Sequence, residues 1–276
     1  MSAGPELVRL ERVGDVAEIV FDAPPVNQLS ADFVGDLEAA IDAVGDARAV
    51  AITSAVPKIF MAGGDIKLMA TASPAELGAY IRRLQATFYA LEMLAPPVVV
   101  GIDGAALGGG TEIALACDIR IAAADATLGQ PESTLGIFPG GGGTHRLVRS
   151  VGQTVALDLM MSGRRISGEE AGGYNLVSRV VGSGEATAAA RELAAELAAG
   201  ATEALRAIKR LGQASYDTPP IQGFAAEAAE WVRVRESANA QEGLSAFLER
   251  RKPNFEPPQP PVTEPGRRQP RARREG

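Results

Sequence analysis

Gly101-Ile102-Asp103-Gly104-Ala105-Ala106-Leu107-Gly108-Gly109-Gly110-Thr111-Glu112 follows the apolar β-branched run Val98–Val100 and leads into the helical stretch Ile113-Ala114-Leu115-Ala116-Cys117. A strand, a glycine turn and a helix in that order leave the first helical N–H groups without an intrahelical acceptor. The helix dipole behind them favours negative charge. A phosphate is one ligand such a turn suits, yet no GxGxxG is present and no Lys-Ser or Lys-Thr closes a GxxxxG. Glu112 is the only charged residue between Asp103 and Asp118. It follows Gly109 by one turn, so its carboxylate and that glycine's N–H lie on neighbouring parts of one helix face.

Outward from this stretch lie two further glycine-rich segments. Phe60-Met61-Ala62-Gly63-Gly64-Asp65-Ile66-Lys67 follows a strand pattern, and Gln130-Pro131-Glu132 precedes Ile137-Phe138-Pro139-Gly140-Gly141-Gly142-Gly143-Thr144. Glu132 resembles Glu112 in that Ser133 to Thr144 are all uncharged. An ionised carboxylate is expensive to bury without a partner, and its usual response is a raised pKa. Two such acids beside unpaired backbone donors suit general acid–base chemistry near neutral pH. A surface glutamate and a turn-capping glutamate would leave the same pattern, so spacing alone keeps both readings open.

The rest of the chain alternates strand and helix signals. Val16–Phe21, Ala49 to Thr53 and Val98–Ile102 read as strands. Ser30 caps a helix carrying Phe33, Leu37, Ile41 and Val44 on one face. Ser73-Pro74-Ala75-Glu76 is a capping box, and its helix carries Leu77, Ile81, Leu84, Phe88 and Leu91 up to Pro96-Pro97. Ser167 and Glu170 predict a second capping box before a helix ending near Asn175. From Glu185 the composition turns to alanine-rich helix at 185–199, 202–211 and 220–250. This organisation predicts an α/β body over 1–184, a helical C-terminal region over 185–256, and a disordered Pro- and Arg-rich tail over 257–276.

Composition excludes several classes. Of 276 residues, 46% are hydrophobic and 22% charged, the usage of a globular protein. The net charge of −7 argues against a broad basic nucleic-acid surface, and the five Arg and two Glu of 257–276 make the rest more acidic still. One cysteine, Cys117, rules out an intramolecular disulfide, and with one histidine, His145, no His- or Cys-built metal site is expected. Cys117 reads as core, His145 as structural, and Trp231 as interface or core. No run approaches the roughly 18 apolar residues of a membrane span. Met1 to Gly14 lacks the pattern of a signal peptide, which predicts a cytoplasmic protein.

Taken in order, residues 60–67, 101–118 and 130–144, with the ending Glu242-Gly243-Leu244-Ser245-Ala246-Phe247-Leu248-Glu249-Arg250-Arg251-Lys252-Pro253, resemble the enoyl-CoA hydratase/isomerase (crotonase) superfamily over roughly residues 6–255. The resemblance implies a spiral of ββα units whose repeats leave no sequence period, with a helical C-terminal part that builds trimers, often paired into hexamers. It implies acyl-CoA metabolism of the fatty-acid type, with reversible addition of water across the C2=C3 bond of a 2-enoyl-CoA to give 3-hydroxyacyl-CoA. Coenzyme A is part of the substrate, and no separate cofactor, metal, nucleic acid or membrane partner is implied.

By position in the motifs, the resemblance implies that Gly64 and Gly109 offer backbone N–H groups to the thioester oxygen. It makes Glu112 and Glu132 the catalytic pair and Gly140 the glycine that helps hold the water. Ala62, Gly64, Asp65, Ile66, Lys67 and Gly109 are the implied substrate- and CoA-binding positions, with Lys58 a further candidate for the CoA phosphates. A loop-bracing role suits Asp65 better than a reactive one. The sequence departs from the commonest pattern at Met61, usually smaller, Gly64, frequently alanine, Gln28, where alanine is common, and His145, usually glutamine. Many isomerases of the superfamily keep only one of the two acids, so both being present favours a hydratase. An enoyl-CoA isomerase or another acyl-CoA lyase is the alternative. A non-catalytic binding scaffold is disfavoured by the intact glycines and acids, and a nicotinamide-binding module by the missing fingerprint.

Overall fold

The computed structural model describes residues 6–255, so the tail expected over 257–276 lies outside the described residues. The chain opens on an antiparallel pair, β1 (Val8–Val13) and β2 (Val16–Phe21), followed by α1 (Ala31–Asp42). Consecutive units then repeat one plan, a strand in a large sheet, a shorter strand in a small sheet, and helix. The first unit is β3 (Ala49–Ser54), β4 (Ile59–Ala62), α2 (Ile66–Thr71) and α3 (Pro74–Glu92). The second is β5 (Val98–Ile102), β6 (Ala105–Leu107) and α4 (Gly109–Leu115). The third is β7 (Ile119–Ala123), β8 (Thr127–Gly129), a 3-10 turn at Pro131–Leu135, α5 (Gly143–Val151) and α6 (Gln153–Ser162). There follow β9 (Arg165–Ser167), α7 (Gly168–Gly173), β10 (Arg179–Val181), then α8 (Ala186–Ala198), α9 (Thr202–Ala214), α10 (Pro220–Arg235) and α11 (Ala238–Glu249).

The large sheet has the order β1-β2-β3-β5-β7-β10 and the small one β4-β6-β8-β9. Each unit therefore advances one place in both sheets, which is the expected ββα spiral. Pairing is parallel except at β1/β2 and β8/β9. The sequence shows no period because any buried apolar side chain serves each strand position equally well. β2, β3 and β5 are buried nearly throughout, as near-continuous apolar strands covered on both faces must be.

One cover is α8, which packs on β3 and β5 through Ala186, Ala190, Leu193 and Ala194. Small side chains let it come close. A Cβ on Gly101 would stand 2.5 Å from the Ala186 carbonyl oxygen. Asp103 explains its place in the glycine turn here, because its two carboxylate oxygens accept the N–H groups of Ala186 and Thr187, each at 2.7 Å. The buried Glu18 accepts from Thr53 Oγ1 at 2.6 Å and from Arg191 of α8 at 2.9 Å, so its charge is paired where it is desolvated.

Local expectations meet mixed outcomes. Ser30 caps α1, and Ser73 with Glu76 forms the full capping box of α3. Ser167 caps α7, but Glu170 does not reach back to it. Its carboxylate takes Arg164 at 2.7 Å and the Tyr174 hydroxyl instead, a stronger charge-assisted contact. Asn175 adopts the left-handed conformation, as expected. The helix expected over 220–250 is two helices, because Ser237 leaves the helical conformation and caps Ala240 at 3.1 Å. Trp231 is not core, being 68% exposed on α10. Cys117 is core. Among the described residues, no helix is long and apolar enough to cross a membrane.

Candidate active site

Register brings the three glycine-rich segments together. In the small sheet Ala62 pairs with Leu107, and Leu107 pairs with Gly129, all in parallel strands. The residues that follow each of them, Gly63-Gly64, Gly108-Gly109 and Gln130 to Glu132, must then leave the sheet side by side at the strands' C-terminal ends. A Cβ on Gly108 would lie 3.7 Å from Gly63 Cα, and one on Gly109 would lie 3.9 Å from Gly63 C.

Gly108, at φ +56°, is the N-cap of α4 and has no side chain with which to cap it. The first intrahelical bond runs from the Glu112 N–H to the Gly108 carbonyl at 3.0 Å. The N–H groups of Gly109, Gly110 and Thr111 precede it and have no acceptor within the helix. Glycine is required at 108 twice over, by its positive φ and because a Cβ would stand 2.8 Å from Glu132 Oε1. Gly64 is oriented from the other side. Leu29 N–H donates to the Gly63 carbonyl at 3.3 Å, and since a peptide unit is planar and trans, the Gly64 N–H points away from Leu29.

Glu112 is buried on α4. Its Oε1 accepts the Gly143 N–H at 2.8 Å, and the Gly141 N–H also faces the carboxylate. Burial pushes its pKa above the ordinary carboxylate range, against the pull of those two N–H groups and of Arg146. The glycine run 140–143 thereby gains a reason. A Cβ on Gly141 would sit 2.7 Å from Glu112 Oε2 and 2.8 Å from the Phe88 ring. Arg146 is held by Glu92 at 2.7 Å, which fixes the cation whose charge favours an ionised Glu112.

Glu132 stands half-buried on the 3-10 turn. Burial raises its pKa to about 7, the charge of Glu112 adds to the rise, and its own N–H opposes it. The side chain of Gln130 is buried beside it. With its amide nitrogen turned to the carboxylate, it donates to Glu132 Oε1 at 3.0 Å and Oε2 at 3.2 Å.

The structure thus gathers Gly64, Gly109, Glu112 and Glu132. Gly140 adjoins them, with its carbonyl accepting Gln85 Nε2 at 2.8 Å. Ala62 ends β4 and donates to the Val26 carbonyl at 2.9 Å. Asp65 caps α2 by accepting the Leu68 N–H at 3.0 Å, while Ile66 and Lys67 lie exposed on that helix, and Lys58 is exposed ahead of β4. His145 is exposed on α5. Burial pushes the Cys117 thiol up to about 12, which leaves it a poor nucleophile. Among the described residues no group of three or more His, Cys, Asp or Glu is placed to hold a metal ion. Sequence reasoning placed Phe88 on the apolar face of its helix and assigned no role in the site to Leu29, Tyr80, Phe88, Gln130 or Arg146. Only Gln130, a polar residue two places before Glu132, carried a usable signal.

Comparison with known proteins agrees with this architecture. Residues 11–258 match the enoyl-CoA hydratase/isomerase family model. The chain is 37% identical over 259 residues to a probable mitochondrial enoyl-CoA hydratase 2 of Arabidopsis thaliana, covering 91% of this chain and 86% of that one. It is 35% identical to a crotonyl-CoA hydratase of Syntrophomonas wolfei, over 91% of this chain and 98% of the relative. The crystal structure of an enoyl-CoA hydratase from Bacillus anthracis superposes with a TM-score of 0.84 at 35% identity, covering 90% of this chain and 98% of that one. The chain belongs to the enoyl-CoA hydratase/isomerase family.

Proposed function

We propose that the protein adds water reversibly across the C2=C3 double bond of a 2-enoyl-CoA thioester to give the 3-hydroxyacyl-CoA. The observation that carries this reading is the pair of desolvated glutamates, Glu112 and Glu132, set beside the unpaired N–H of Gly109 and the outward N–H of Gly64.

The Gly64 and Gly109 N–H groups hold the thioester oxygen and polarise the enoyl system, leaving C3 electrophilic. As the enolate develops, each donor contributes roughly 3–4 kcal/mol by the measure of other oxyanion holes. Glu112, ionised with two N–H groups on its carboxylate, takes a proton from water as the oxygen bonds to C3. Glu132, with its pKa near 7, is about half protonated at neutral pH, and the protonated form delivers its proton to C2. Dehydration reverses both transfers. Gly140 adjoins the water, and the loop from Ala62 through Asp65, Ile66 and Lys67 lines the path of the CoA moiety. We also infer a homotrimer or a dimer of trimers. In the single chain Ile221, Phe224, Trp231, Phe247 and Leu248 expose large apolar surfaces on α10 and α11, which association would cover.

The test is incubation of the purified protein with a short 2-enoyl-CoA, with the product identified by mass. A gain of one water supports the reading. A double-bond shift without mass change, persisting in Glu132→Gln, would make it an isomerase with one acid.

A further inference from the structure

We propose that Tyr80 is a positioning residue of the oxyanion hole, its hydroxyl setting the direction of the Gly64 N–H through Leu29. This deepens the hydratase reading and rests on it. Tyr80 lies on α3, 8% exposed, and its hydroxyl donates to the Leu29 carbonyl at 2.7 Å. The Leu29 N–H in turn donates to the Gly63 carbonyl, and Leu29 and Gly64 form an isolated parallel bridge. The Asp65 N–H faces the same phenol oxygen, which would stand 3.7 Å from a Cβ on Gly64. The hydroxyl therefore stands against the chain on both sides of Gly64 and is bonded to it through Leu29.

Leu29 also reaches the second donor. Its Cδ1 occupies the place a Cβ on Gly109 would take, so the side chain seats against that glycine. Among the described residues no other side-chain hydroxyl reaches the Leu29 carbonyl, and the bridge Leu29 forms with Gly64 is a single pair rather than a ladder. Between these two segments the main chain adds one further bond, from the Ala62 N–H to the Val26 carbonyl at 2.9 Å, which leaves the Gly64 end to Leu29. Burial raises the Tyr80 pKa to about 12, so the phenol stays protonated and keeps donating throughout the working pH range.

The ring of Tyr80 fills core space, while the hydroxyl sets direction, and Tyr80→Phe separates the two. The reading is taken from the bound absorption spectrum of a conjugated aryl-acryloyl thioester of CoA, whose band moves to longer wavelength as its carbonyl is polarised. Wild-type protein shifts this band. Tyr80→Phe shows a smaller shift at saturation and a kcat lower by about tenfold, part of the 10²–10³ that loss of a whole donor brings, with KM within about twofold. Incorporation of 4-aminophenylalanine at position 80, which restores a donor in place of the hydroxyl, recovers the shift and also serves if the Phe variant fails to fold. An undiminished shift and kcat in folded Tyr80→Phe, or no recovery with the amine, overturns the proposal. Absence of both turnover and band shift in wild type overturns the hydratase reading itself.

Discussion

Glu112 Oε1 accepts the backbone N–H of Gly143 at 2.8 Å, joining α4 to the start of α5 across 31 residues of sequence. A buried carboxylate is thus hydrogen-bonded by main-chain groups. Glutamine at 112 keeps an oxygen for the same N–H but cannot accept a proton. Glu112→Gln should therefore fold and lose 10²–10⁴-fold in kcat, roughly the range of a lost general base. Steady-state hydration kinetics beside thermal melting check it.

Gly64 and Gly109 should respond differently to alanine. At Gly64 a Cβ meets the flexible Cε end of Met69 at 2.6 Å, whereas at Gly109 it meets Cδ1 of the buried Leu29 more closely still. Gly64→Ala should keep turnover within about threefold, because both N–H groups remain in place. Gly109→Ala should lower kcat by at least about tenfold, since the Cβ must push aside the buried Leu29 or shift position 109 itself, either of which misaims a donor worth 10²–10³. Equal kinetics in the two variants would contradict the assigned geometry.

In the proposed mechanism, hydration requires Glu132 protonated and Glu112 ionised. With Glu132 pushed up to about 7, kcat/KM for hydration should fall as pH rises through that value. The acid limb, set by Glu112, should lie above the ordinary carboxylate range because burial raises that group as well. A pH profile flat through pH 8 would contradict the role given to Glu132.

The same shift bears on stability. Glu132 is a carboxyl whose folded pKa is raised, so between its ordinary value of 4.5 and about 7 the folded state binds more protons than the unfolded one. Stability should fall as pH rises through that window, and the penalty should be complete above it. Glu132→Gln removes the ionisation, so the variant should melt higher than wild type at pH 8, with the difference vanishing towards pH 4.5.

Asp103 offers the complementary case, a charged residue in the glycine turn that serves the fold. Its carboxylate caps α8 through Ala186 and Thr187. Asp103→Ala should cost about 1–2 kcal/mol in stability, read by denaturant unfolding, and leave turnover within about twofold.

Much of the site was legible because its chemistry is unusual for its surroundings. Glu112 and Glu132 stand out as lone charges in apolar or glycine-rich stretches, and glycine runs mark places where backbone must approach closely. Leu29 and Tyr80 carry no such mark. An ordinary apolar residue and a helix tyrosine acquire meaning only when the Ala62–Leu107 register and α3 packing set them beside Gly64. Similarly, the spiral could not be read from periodicity, since strands buried on both faces demand only apolar character. The break at Ser237 was legible in principle as a helix-capping residue, but the alanine-rich flanks outweighed it in the pattern.

The central claim is best tested by single-turnover hydration of crotonyl-CoA by wild type, Glu112→Gln and Glu132→Gln, with product masses recorded. The account predicts 3-hydroxybutyryl-CoA from wild type and losses of at least about 10²-fold in both variants. Wild-type hydration retained in either folded variant would contradict it.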